Sequence, residues 1–350
     1  MARRSWLTFR CAPTFADLLM LPAGTTRYTA HSMPARSSTQ RCVVRASSAL
    51  ASAALIVVLA CRGWAAALPL HDVFDAKKAF AYASQVVNFG ERWPGSPGHQ
   101  KTEALIKQVL TRDGALIETD DFTAATPRGA VPVHNIIGKF NVTADPRQQI
   151  FILAGHYDTL FKPGFLGAND GGSSTAILLA FGDALANQKT KMQIWLVWTD
   201  LEEAINSFQG DDGLYGSRHL AQKLQTAGLV PRIKGFFLLD MIGDKGLGVT
   251  RESGSTRWLQ DFIAHAAKQL GYSQYFFLDS VEIIDDHVSF AKVGVPVVDV
   301  VDAQFGRMGP GFDSMGEFHH ANTDTIDKIS QTSLDIVGRT ILLTVELLDK

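Results

Sequence analysis

Cysteine disappears from this 350-residue chain after position 61; Cys11, Cys42 and Cys61 are all it has. The stretch that follows can form no disulfide framework, thiol nucleophile or thiolate metal site. Any metal there must be held by His, Asp and Glu. An excess of one charge is lacking too. The 33 Lys and Arg stand against 35 Asp and Glu, a net charge of −2, which gives no broad attraction to nucleic acid. The apolar, Ala-rich run at 48–60 is short for a membrane span. No repeat or linker interrupts residues 68–350, so they read as one domain with room for a sizeable core.

The first 67 residues do not read as fold. Arg36, Arg41 and Arg45 precede the 48–60 run, and Ala65-Ala66-Ala67 follow it. That order predicts an export signal, or an anchor if it is not cleaved, with Met33 as an alternative start. The product is then periplasmic or secreted, and it meets a membrane only through this segment.

What is present is organised around 150–180. Residues 150–154 form a buried-strand pattern ending in His156-Tyr157-Asp158. A loop rich in Gly, Pro and Phe leads to Gly167-Ala168-Asn169-Asp170-Gly171-Gly172. Ser173-Ser174-Thr175 then supply cap-type residues before a helix expected over 176–186. Two later pieces join it: Thr199-Asp200-Leu201-Glu202-Glu203, straight after the apolar run 194–198, and Phe318-His319-His320-Ala321-Asn322-Thr323-Asp324, late in the chain. Nitrogen and oxygen donors delivered at strand ends suit zinc. Asp170, in a Gly-rich loop, is assigned as a ligand. Glu202 and Glu203 are adjacent and point in different directions, so one can hold the metal while the other carries protons.

The rest of the pattern alternates. Helices are expected over 72–88, 99–113, 215–225, 258–270 and 325–348, with a short one opening at Asp286. Strands are expected over 115–122, 134–140, 194–198, 235–239, 275–278 and 295–301. Arg92, in a Gly/Pro-rich loop, reads as a solvated charge. Residues 200–212 and the Gly-rich 303–318 read as loops, the latter long enough to suggest function. The expectation is a single three-layer αβα domain around a mixed, mostly parallel sheet.

These pieces resemble the zinc aminopeptidases of the MH clan and, more closely, the glutaminyl-peptide cyclotransferases of the same fold. The matching residues include Gly90 to Gly98, Gly155-His156-Tyr157-Asp158, Gly167-Ala168-Asn169-Asp170, Glu202-Glu203, Leu214-Tyr215-Gly216-Ser217-Arg218-His219-Leu220-Ala221, Leu238-Leu239-Asp240-Met241 and Asp285-Asp286-His287. The resemblance implies zinc on Asp170, Glu203 and His320, with Glu202 as proton carrier and Asp324 or Thr323 orienting His320. It implies a hydrogen-bond network of Asp240, Asp285 and Glu202, and pocket walls from Phe208, Met241, His319 and Phe305. The substrate is then a peptide N-terminus whose glutamine becomes pyroglutamate. In the aminopeptidase alternative His156 and Asp240 hold a second zinc. A non-catalytic binding domain of the same fold would have lost a ligand or the Glu pair, and neither is missing.

Overall fold

The computed structural model describes residues 68–350; the export segment expected at 1–67 lies outside them. The strand Ile150–His156 (β3) is buried at all seven positions, which suits the middle of a parallel sheet covered on both faces. It pairs in parallel with Gln193–Thr199 (β4) and Ile233–Asp240 (β5). Beyond β5 lie Val297–Val301 (β8), then Val249–Glu252 (β6) and Phe276–Val281 (β7). On the other side are Gly129–Phe140 (β2) and Leu116–Thr126 (β1). The order is β1-β2-β4-β3-β5-β8-β6-β7. The β1–β2, β2–β4 and β8–β6 pairs are antiparallel and the others parallel, so the expected mixed αβα sheet is present.

Alternation along β3 feeds two cores. Phe151 and Leu153 enter the larger core, with Ala76–Asn88 (α1), Pro97–Arg112 (α2), Gly172–Leu185 (α3), Arg257–Leu270 (α5) and Gln331–Leu348 (α7). Ile150, Ile152 and Ala154 enter the smaller core with Tyr215–Thr226 (α4) and Asp286–Lys292 (α6). Among the described residues, no helix is long and apolar enough to cross a membrane.

Boundaries moved where side chains cap backbone. Helix α1 begins at 76, not 72, because Asp75 accepts from the amides of Lys77 and Lys78. Helix α7 begins at 331, not 325; Ser330 caps it, and residues 326–328 form a separate 3-10 turn. Helix α3 starts at 172, four residues early. Ser173 and Ser174 are not caps: their hydroxyls donate to the carbonyls of Asn169 and His156. The two strands expected at 115–122 and 134–140 are one long hairpin turning at Pro127-Arg128. Pro132 is tolerated because β2 joins β4 only over 136–140, leaving its outer half paired on one side. Strand β6, only four residues long, was not foreseen.

Candidate active site

The carboxyl ends of the parallel strands converge on one hollow, as ligand sites do in such sheets. β3 delivers His156, β5 delivers Asp240, and β4 runs into Asp200-Leu201-Glu202-Glu203. Asp285 is the N-cap of α6. Leu201, Met241 and His320 all lie in the left-handed region, with φ of 52°, 48° and 52°. For residues with a Cβ this costs about 1–3 kcal/mol each, and here it turns the chain sharply at the hollow.

Asp170, Glu203 and His320 come together. His320 Nε2 is 3.4 Å from Glu203 Oε2 and 3.6 Å from Asp170 Oδ2. Asp170 Oδ2 and both Glu203 oxygens are buried without a hydrogen-bond partner. Unpaired buried carboxylate oxygens are costly. Two carboxylates and an imidazole facing one point fit a zinc ion. Without an ion, burial opposes ionisation of Asp170, but His156 and His320 hold it below the usual carboxylate range. Burial and the charge of Asp170 push Glu203 up to about 7. Burial works against charging His320, yet Glu203 and Asp170 raise it to about 9.

Among the described residues, the groupings whose donor atoms all lie within 4.8 Å of one another are Asp170, His319 and His320, and His156, Asp170 and Asp240; both share Asp170 and neither includes Glu203. The first does not converge. The His319 ring stacks on His320 at 3.7 Å and 25°, so their in-plane lone pairs run side by side, and His319 Nδ1 bonds Asp313 at 2.6 Å. In the second, His156 Nε2 lies 3.2 Å from Asp170 Oδ1 and 3.3 Å from Asp240 Oδ1. The imidazole bonds both carboxylates directly.

Burial, then the charge of Asp285, raises Glu202 well above the ordinary glutamate value. Asp285 is raised by burial and by the charge of Asp240. Both carboxyls are thus biased towards the protonated form. Asp240 is not hydrogen-bonded to a carboxyl partner, as the expected network required. Its contact is His156, and it reaches Asp285 through charge. Asp158, to which the sequence assigned no role, accepts the amides of Glu202 at 3.2 Å and Glu203 at 3.3 Å and so aims the pair.

The cavity above these groups measures about 380 Å³. Phe208 and His319 line it as expected. Met241 and Phe305 do not; both are fully buried behind it, packed with Val301. Ile283, Ile284 and Met315 line it and were missed. Ile284 is 68 % exposed directly before Asp285, and the apolar pair beside an acidic one was the available signal. A hollow of about 420 Å³ between 244–250, 274–279 and 302–306 is no smaller, but the three donor residues are not in its walls.

Three expectations change. Arg92 is not solvated; it is 0 % exposed and hydrogen-bonded to loop carbonyls. Asp324 does not orient His320. It accepts the amides of Asn169 at 2.9 Å and Asp170 at 3.1 Å, and burial with the nearby Asp170 pushes it up to about 8. Thr323 offers its carbonyl to Thr325. His320 is instead flanked by the face of His319, by Phe165 edge-on at 6.3 Å, and by Lys162 donating to its carbonyl at 2.7 Å.

Comparison with known proteins agrees with this geometry. Residues 135–345 match the model of peptidase family M28. A glutaminyl-peptide cyclotransferase of Boiga irregularis is 31 % identical over 281 residues, 69 % of this chain and 75 % of that protein. The crystal structure of an Acidobacteriales bacterium glutaminyl cyclase is 41 % identical, with a TM-score of 0.74, covering 79 % of this chain and 95 % of that one. A Zn-dependent exopeptidase of Parabacteroides distasonis, 24 % identical, shares the fold with a TM-score of 0.68 over 78 % of this chain and 98 % of its own.

Proposed function

The chain belongs to peptidase family M28, beside the glutaminyl-peptide cyclotransferases, and on that premise we propose that it cyclises the N-terminal glutamine of peptides. The products are pyroglutamate and ammonia. The observation that carries this reading is the buried carboxyls Glu202 and Asp285, each raised by burial and a neighbouring charge, beside His320 and the unsatisfied oxygens of Asp170 and Glu203. In our reading those three residues hold zinc. When bound, zinc supplies Lewis-acid polarisation of the glutamine γ-carbonyl.

The chain's own groups move the protons. The substrate α-nitrogen attacks the carboxamide carbon of the glutamine side chain, Cδ, and Glu202 takes the proton that nitrogen loses. The bond from Cδ to its amide nitrogen then breaks. Glu202 gives the proton to that nitrogen, ammonia leaves and the lactam remains. Asp285 and Asp240 hold the local negative charge that keeps Glu202 ready to exchange a proton. Phe208, Ile283, Ile284 and Met315 keep water from competing with the amine.

The alternative is a two-metal aminopeptidase, favoured by the His156, Asp170 and Asp240 grouping. The test is metal analysis of active protein with Gln-peptide and Leu-anilide assays side by side. One zinc per chain with ammonia from Gln-peptides is expected. Two zincs, free amino acid from Leu-anilide and no ammonia would install the alternative. We also propose export through residues 1–67, to be checked by N-terminal sequencing of the mature protein.

A further inference from the structure

Arg92 is one of the largest fully buried side chains in the protein. A buried charge ordinarily has a carboxylate against it, since isolation costs several kcal/mol. Every side-chain bond of Arg92 goes instead to backbone oxygen. Nε donates to Tyr157 O at 2.9 Å, Nη1 to Leu166 O at 2.5 Å, and Nη2 to Gly167 O at 2.8 Å and Asp170 O at 3.3 Å. The Arg92 amide adds a bond to Thr159 Oγ1 at 2.9 Å. These acceptors come from both ends of the loop between β3 and α3, which is thus wound around the guanidinium.

The winding is tight. Gly167 has a φ of 51°, and a Cβ there would lie 2.5 Å from Asp170 O and 3.2 Å from Arg92 Nη2. Asp324 takes the amides of Asn169 and Asp170. The peptide units that carry Asp170 are therefore held by a cation on their carbonyls and the Asp324 carboxyl on their amides. Nothing in this grip uses Asp170 Oδ2, which stays unbonded and faces His320. Burial lowers the guanidinium to about 10, against the pull of Asp324, Asp170, Asp158 and Glu203, so it remains charged at neutral pH among four carboxyls.

We propose that Arg92 is a positioning residue for the metal centre: it holds the Asp170 loop in its ligating shape before an ion arrives, and its charge offsets the repulsion among the carboxyls there. The proposal rests on Asp170 being a ligand. A purely structural Arg92 would alter stability and leave metal affinity alone.

Arg92→Lys keeps the charge but loses the planar fork that spans four carbonyls. Zinc affinity is measured by chelator competition, at a temperature where metal-free wild type and variant have the same far-UV circular dichroism. The zinc Kd of Arg92→Lys should rise about 10- to 100-fold, the usual cost of losing a group that orients a ligand. Excess zinc should restore turnover. Thr159→Val, which removes only the acceptor for the Arg92 amide, should raise Kd in the same direction by less. Glu203→Ala is the control. If it abolishes tight zinc binding while Arg92→Lys, or Thr159→Val should the lysine variant not fold, keeps the wild-type Kd, the proposal is wrong and the ligand assignment stands. If Glu203→Ala binds zinc as wild type does, the ligand assignment fails and the proposal falls with it.

Discussion

Two regions of this protein contain the same three residue types at the same separations. In one, His320 lies 3.4 Å from Glu203 and 3.6 Å from Asp170. In the other, His287 lies 3.4 Å from Glu252 and 3.6 Å from Asp299. Both include carboxylate oxygens with no hydrogen-bond partner. The difference is direction. His320 turns one nitrogen, Nε2, to both carboxylates beside an open cavity. His287 turns Nε2 to Glu252 and Nδ1 to Asp299; the ring sits between the acids and fills the centre. Glu252 is also satisfied by the Gly254 amide and the Ser255 hydroxyl, whereas neither oxygen of Glu203 is. Composition and distance do not make a metal site; convergence and access do.

The comparison breaks if the sealed cluster binds metal or the open one does not. Glu203→Ala should weaken zinc binding by about a thousandfold, since one ligand carries a few of the roughly 10–16 kcal/mol that zinc sites provide. Glu252→Gln should leave zinc content and affinity unchanged. Chelator competition on both variants checks this, and equal losses would erase the distinction. His287→Ala should instead cost about 3–5 kcal/mol of stability, because two buried carboxylates lose the ring between them. Urea unfolding reads that cost, and zinc per folded chain should not move. Glu202→Gln keeps the shape of the side chain and removes its proton exchange. Turnover should fall about a hundredfold or more with zinc retained, and unchanged turnover would take Glu202 out of the mechanism.

The smallest effect belongs to a second bridging ring. His99 sits between Asp200, 2.8 Å from Nε2, and Glu103, 3.2 Å from Nδ1. Burial opposes its charging, but the charge of Asp200 prevails and its pKa lies above 6.5. A pKa raised in the folded state stabilises fully below the unfolded value, about 6.5, and the benefit is lost as pH rises through the folded value. His99→Gln should cost about 1–3 kcal/mol at pH 6, and the gap from wild type should narrow as the pH rises. Urea titrations of the metal-free proteins across pH 6–9 test the sign. A gap that widens with pH would contradict it.

This contrast also explains what could be read from the chain. Asp170 was assigned from its Gly-rich loop beyond a buried strand and Glu203 and His320 from the family resemblance, and the structure brings His320 within 3.6 Å of both acids. His287 has the same neighbours in sequence as a catalytic histidine would, and only the ring's orientation sets it apart. Arg92 was misread because its partners are backbone carbonyls 65 to 78 positions away, which no side-chain pattern reports. The outer half of the β1–β2 hairpin was read as loop because Pro127, Gly129 and Pro132 punctuate it and little of it is buried. Met241 and Phe305 were placed on the cavity wall with the resembling family as guide, and they pack behind it with Val301.

The bonds from Asp324 to the amides of Asn169 and Asp170 join positions 155 and 154 apart. During synthesis the helices around β3 can close early from nearby contacts, but contacts this distant form late. A nascent chain stopped before residue 320 already carries Asp170 and Glu203, yet it lacks His320 and the carboxyl that grips the Asp170 loop. On the proposed ligand set, metal capture is a closing event of folding, and the compartment in which residues 320–324 dock is the one that supplies the ion.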